Sequence, residues 1–160
     1  MQTIDHNFLI RHWQSSDRTL VAELIRNVLI EYGLPWQPET ADRDVLEVEA
    51  YYLATGGEFW VVEQQDKIVG TAAYYPINRG HKAVEIRKMY LIPEVRGQGL
   101  GTKLLTKLET AIASRGFQSI WIETATVLSQ AVRLYEHNGY EIASGVETPR
   151  CDRIYFKSLI

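Results

Sequence analysis

The chain is 160 residues long, 46% hydrophobic and 23% charged, with a formal net charge of −3. That length suits one folded domain over residues 1–160 with a sizeable core, and the mild acidity argues against a general nucleic-acid binder, whose footprint would be basic. The lone Cys151 excludes an internal disulfide, and His6, His12, His81 and His137 form no ligand-spaced pair, so no metal is expected. No apolar run approaches membrane length and the start lacks a charged-then-apolar leader pattern, so a cytoplasmic protein with no membrane partner is the default expectation. A monomer or homodimer is expected, and the sequence does not choose between them.

Residues 8–13 read as a short strand. Ser15, Ser16 and Asp17 offer N-caps for a helix reaching about Tyr32, with Leu20, Val21, Leu24, Ile25, Val28, Leu29 and Tyr32 as its apolar face. Gly33 stops that helix, and Pro35 and Pro38 make 34–40 a loop. Residues 42–54 read as a second helix, ended by Thr55-Gly56-Gly57. Two strands follow at 58–63 and 67–75 around Gln64-Gln65-Asp66, with Pro76 closing the second. A turn at 78–81 leads to a run rich in β-branched and aromatic residues at 84–92, closed by Pro93. Leu100, Leu104, Leu105, Leu108, Ala111 and Ile112 then share one helical face, with Gly116 just past the end. A strand at 118–124, a helix at 128–138 and strands at 140–144 and 153–159 complete the order β-α-α-β-β-β-α-β-α-β-β.

The stretch between the 84–92 strand and the 100–115 helix carries Gly97, Gly99 and Gly101. Glycines there leave backbone N–H groups open at a helix N-terminus, which suits an anion, most often a phosphate. Arg96 and Lys103 add positive charge. Three anion-loop patterns compete. A P-loop needs Lys directly after its last glycine, but Thr102 stands there. A dinucleotide loop needs G-x-G-x-x-G, and here the third glycine comes one place early, although Glu123 sits where a ribose-binding acid would. The third pattern, Arg/Gln-x-x-Gly-x-Gly/Ala, is matched by Arg96-Gly97-Gln98-Gly99-Leu100-Gly101. A glycine-rich turn with no ligand stands beside all three.

The third pattern, after a strand and a proline, resembles the acetyl-CoA pyrophosphate loop of the GNAT N-acetyltransferase superfamily. A second stretch, Ala131, Leu134-Tyr135 and Gly139-Tyr140, is similar to that superfamily's late motif. Many members have an asparagine three residues before the motif's alanine; here the place is Leu128, so that contact is not carried over. The resemblance spans nearly the whole chain. It implies a mixed α/β (α+β), mostly antiparallel sheet of about seven strands flanked by about four helices, with a splayed parallel pair at strands four and five.

The same resemblance implies acetyl-CoA as cosubstrate and a primary amine of a small molecule, amino acid-like compound or peptide as acceptor. It places the pyrophosphate on Arg96, Gly97, Gln98, Gly99, Leu100, Gly101 and Thr102, and the pantetheine arm on the backbone of Met89 and Leu91. The amine must lose a proton: at a pKa of about 10.4 the handicap at pH 7 is about 4–5 kcal/mol, so a base is worth having. Glu85 holds the family position for it, and strand alternation would put it on one face with Arg87 and Met89. A carboxylate merely paired with Arg87 is the plainer reading. Tyr135 is the family-position acid for the leaving thiolate, with core packing as its plainer reading. The acceptor is expected near Trp36, Tyr75, Arg79, His81 and Arg150, where Arg79 and Arg150 could hold a carboxylate. Two other functions stay open: a catalytically silent acetyl-CoA-binding module and a nicotinamide-binding domain.

Overall fold

The computed structural model describes residues 3–5 and 7–160; His6 lies outside them. Eight strands form one sheet: β1 (Thr3–Asp5), β2 (Phe8–His12), β3 (Glu58–Gln64), β4 (Lys67–Ile77), β5 (Ala83–Leu91), β6 (Ser119–Thr124), β7 (Glu141–Ile142) and β8 (Arg153–Ser158). Their spatial order is β1-β2-β3-β4-β5-β6-β8-β7. Every adjacent pair is antiparallel except β5 and β6. The strand beyond the expected seven is β1 at the edge, so the expected parallel pair of strands four and five is β5 and β6 here.

The helices divide the core into two layers. Helix α1 (Arg18–Glu31) covers one face of the sheet through Val21, Ile25 and Leu29, which pack with Phe59 and Val61. On the other face, α3 (Leu100–Ser114) and α4 (Ser129–His137) cover Val84, Ile86 and Ile122. Helix α3 buries Leu100, Leu104, Leu105, Leu108 and Ile112, as its 3.6-residue period requires. On α1 the expected stripe is narrower, because Leu20 stands 58% exposed.

Three local expectations give way to the structure. The second helix breaks into a four-residue turn, α2 (Arg43–Leu46), and a wider π-type turn over Glu49–Leu53, because Glu47 leaves the helical region. Pro76 does not end β4. Strand β3 begins at Glu58 opposite Tyr74, so β4 beyond that point is unpaired on the β3 side, where a missing N–H costs no ladder bond. Gln65 and Asp66 both take positive φ, closing the β3–β4 hairpin as a two-residue loop.

The third departure positions the site. Lys88 has φ of 52°, and the β4–β5 register slips there, with Ala73 opposite Arg87 but Thr71 opposite Tyr90. The extra residue is a β-bulge. Thr71 pins it, its hydroxyl donating to the Lys88 carbonyl at 2.7 Å. The bulge inverts the alternation that would place Met89 beside Glu85 and Arg87. Met89 and Leu91 instead pack on the α3–α4 side, while Tyr90 faces the α1 side.

Candidate active site

Pairing between β5 and β6 stops at Ile86 and Ile122. Past that point the strands separate, and a cavity of about 280 Å³ opens in the gap. Its walls are the second half of β5, the glycine loop, the end of β6, one face of α4 and residues 148–151. Ile92 donates its N–H to the Val69 carbonyl across on β4. Backbone groups alternate sides along a strand, so those of Leu91 and Met89 face the gap. The Leu91 carbonyl is already taken, accepting from Arg96 Nε at 3.0 Å.

The loop at the cavity mouth is built by backbone conformation. Gly97 and Gly99 have φ of 78° and 79°, and a Cβ at either would meet nothing within 4 Å. Gly99 caps α3, and the first turn of that helix has N–H groups with no intrahelical acceptor. Gly101 is different: it lies inside the helix without a positive φ, and a Cβ there would touch Leu134 at 3.4 Å. Gly97, Gly99, Gly101 and Thr102 line the cavity. Gln98 and Leu100 are not among the lining residues; Gln98 is exposed and Leu100 is core. Arg96 lines the cavity, but its guanidinium grips Glu31 at 2.6 and 2.9 Å and the Tyr32 hydroxyl at 3.1 Å. It ties α1 to the loop, and its charge is shared with Glu31.

Glu85 lines the cavity from β5, half-buried. Burial pushes its carboxyl up to about 7, against the pull of Arg87. No ion pair joins the two among the described residues, so the plain reading of an Arg87 partner holds only as a field effect. Tyr135 reaches the cavity from α4 and packs against the rings of Tyr140 and Tyr155. Among the described residues its hydroxyl has no hydrogen-bond partner, and burial pushes that phenol well above its ordinary range. Cys151 also lines the cavity, its thiol pushed up to about 11 by burial. Leu128, where an asparagine was looked for, lines the wall with an apolar side chain.

The expected acceptor residues are placed less simply. Arg150 lines the cavity, but its guanidinium forks onto Asp42 at 2.6 Å through both Nη atoms and onto the Pro35 carbonyl. Arg79 stacks on Trp121, donates to the Gly145 carbonyl and does not line the cavity. Trp36 packs half-buried against the α1-side core, and His81 is exposed. The Tyr75 ring packs on Tyr52, and its hydroxyl accepts from Arg87 Nη1 at 2.9 Å. Glu123 does not wait for a ribose: its carboxylate accepts the N–H groups of Glu147 and Thr148 at 3.0 and 2.8 Å.

Sequence reasoning missed the charged cluster behind this wall. Lys88 Nζ, buried, donates to Asp42 Oδ1 at 2.9 Å and the Ala41 carbonyl at 3.1 Å, with Asp44 Oδ1 at 3.4 Å. Burial would raise the Asp42 carboxyl, but Arg150 and Lys88 outweigh it and hold the group at about 2. A folded pKa below the unfolded one means stability that is present above about pH 4 and lost as pH falls toward 2. Asp42→Ala would leave the buried Arg150 guanidinium without a carboxylate and Lys88 with Asp44 alone, and we expect a loss of about 3–5 kcal/mol in chemical denaturation at pH 7. A loss below about 1 kcal/mol would mean that the cluster does not hold the wall.

A fold of this order, split between β5 and β6 above a glycine-capped helix, is that of an acyl-CoA-dependent transferase. The family model for the Acetyltransferase (GNAT) family matches residues 19–140. The uncharacterized N-acetyltransferase YjgM of Escherichia coli (strain K12) is 33% identical over 136 residues, covering 83% of this chain and 81% of that protein. The probable N-acetyltransferase 14 of Xenopus tropicalis is 32% identical over 103 residues, 64% of this chain and 50% of that longer protein. A GNAT-family acetyltransferase of Staphylococcus aureus Mu50 shares the fold at a TM-score of 0.88 and 22% identity, covering 96% of this chain and 99% of that one. The Salmonella typhimurium acetyltransferase yncA, solved with acetyl-CoA, aligns at 0.73 and 21% over 96% and 94%. The chain belongs to the GNAT family of N-acetyltransferases. Among the described residues no group of three or more His, Cys, Asp or Glu is placed to hold a metal, and no helix is long and apolar enough to cross a membrane.

Proposed function

We propose that residues 1–160 act as one catalytic unit that moves an acetyl group from acetyl-CoA to a primary amine by direct attack within a ternary complex. The observation that carries this is the cavity itself, where an open glycine cradle, unpaired backbone of Met89 and the Glu85 carboxylate line one space. Acetyl-CoA supplies an acetyl group already activated as a thioester. Gly97, Gly99, Gly101 and Thr102 would hold the pyrophosphate, with Arg96 bracing the loop more than charging it. The Met89 backbone N–H is the oxyanion donor. Glu85, at about 7, takes the amine's proton near neutral pH, directly or through water. Tyr135 stays protonated and donates to the departing sulfur.

Direct attack competes with transfer through Cys151, the one thiol in the cavity. A thiol at about 11 is almost wholly protonated at neutral pH, which makes it a poor nucleophile. Incubation with acetyl-CoA and no amine should therefore leave the protein's intact mass unchanged, while melting temperature rises by mass action, about 2.7 kcal/mol of stabilisation at a hundredfold excess over Kd. An acetyl adduct on Cys151 that an added amine discharges would replace direct attack by a two-step transfer.

A further inference from the structure

We propose that Arg87 holds a carboxylate of the acceptor, making the preferred substrate a small molecule that carries both an amine and a carboxylate. The proposal rests on the acetyl-transfer reading above and narrows its substrate.

The cations near the cavity differ in where they spend their donors. Arg150 is forked onto Asp42, Lys88 is held by Asp42 and the Ala41 carbonyl, and Arg79 lies on Trp121 and the Gly145 carbonyl. Arg87 is different. A guanidinium has five N–H donors. Among the described residues Arg87 gives one, Nη1 to the Tyr75 hydroxyl at 2.9 Å, and its flat face rests 5.7 Å from the Tyr75 ring. No carboxylate comes within ion-pair distance of it among those residues. Its remaining donors are not shut away from solvent, so they are open to an incoming anion.

Arg87 also stands where an acceptor would enter. It lines the cavity between β5 and β6 and a second one of about 400 Å³ on the α2 side, and Thr148 is the other residue that lines both. That second space is of small-ligand size. Glu85 and Arg87 are two residues apart before the bulge, so they share a face with Cα atoms about 7 Å apart. An amine at Glu85 and a carboxylate at Arg87 thus fit one small molecule.

Nearby carboxylates do not reverse the sign. Asp42 faces two cations and Glu123 is occupied by two backbone N–H groups. Asp44 accepts from the Tyr52 hydroxyl and lies 3.4 Å from Lys88, and Glu147, which also lines the second space, is exposed and lies 3.8 Å from Arg79. The planar fork of Arg87 matches a carboxylate in a way the Lys88 ammonium cannot.

The test compares each standard amino acid that carries a primary α-amine with its α-amide, at saturating acetyl-CoA, in wild type, Arg87→Gln and Arg87→Lys. The amide removes the charge and keeps the amine and side chain. For the best acceptor, the acid-to-amide ratio of kcat/KM should fall by about tenfold or more in Arg87→Gln, chiefly through KM. The ratio within one protein cancels any effect of Arg87 on Glu85, and comparing it between proteins cancels the difference in amine basicity between acid and amide. Arg87→Lys should keep part of the preference. The same pairs titrated into the CoA-bound protein read the anion site without turnover. No thiol release with any amine would sink the acetyl-transfer reading alone. Equal affinities for acid and amide, a ratio unmoved by Arg87→Gln, or a clear preference for amidated peptides over free amino acids would each overturn the Arg87 proposal.

Discussion

Glu85→Gln should lower kcat/KM for the amine by about 10²–10⁴-fold near pH 7, and the deficit should close as pH rises toward the amine's own pKa. The wild type should climb through about pH 7, where the Glu85 carboxyl loses its proton, and the variant should lack that limb. Tyr135→Phe should keep the wild-type limb and lose a smaller factor, because a thiolate leaves more readily than a protonated amine attacks. A second readout separates catalysis from packing. The Glu85 carboxyl is raised in the fold, from 4.5 to about 7, so its ionisation opposes folding. That cost is absent below the unfolded pKa, grows between the two values and is complete above about 7, where it approaches about 3 kcal/mol. Glu85→Gln should therefore be more stable than wild type at pH 8 and equal to it near pH 4. A variant that is both slower and more stable at pH 8 marks a group kept for chemistry. One that tracks the wild type in rate throughout marks a strand carboxylate and no base.

Gly99→Val should raise the Kd for acetyl-CoA about a hundredfold, and Arg96→Ala much less. At Gly99 two costs combine. A β-branched residue at φ of 79° is strained by about 1–3 kcal/mol, and its side chain would stand in the open space before the α3 N–H groups. At Arg96 the guanidinium is already shared with Glu31, so less free charge is removed. Gly101→Val should act differently, pressing on Leu134 and narrowing the cavity without dihedral strain. Calorimetric titration of the three variants orders these effects. A larger loss at Arg96 than at Gly99 would show that side-chain charge, not open backbone, holds the pyrophosphate.

The glycine loop and α3 were legible because their signals are local: glycines at a helix start, then leucines at helical spacing. The parallel pair was what the family resemblance implied. What stayed hidden is set by contacts far apart in sequence. A lysine in the left-handed region carries no local signature, so the bulge at Lys88 could not be seen, and the face of Met89 was read inverted. Arg150 looked like a free cation because its partner Asp42 lies 108 residues away. For the same reason Arg87 read as Glu85's partner, when the cations that could have competed with it are consumed elsewhere. Pro76 read as a strand end because the length of β3, which leaves that edge unpaired, is a property of the sheet.

Amine-dependent release of the CoA thiol is the most direct test of acetyl transfer by this chain. Purified protein is mixed with acetyl-CoA and the amine panel at pH 8, and thiol is followed over the no-amine blank. Release above the blank is expected for at least one aminocarboxylate, with the acetylated amine as product and a much slower rate in Glu85→Gln at neutral pH. A protein whose melting temperature rises with acetyl-CoA but which releases no thiol with any amine would contradict acetyl transfer, and would be a binding module built on the same fold.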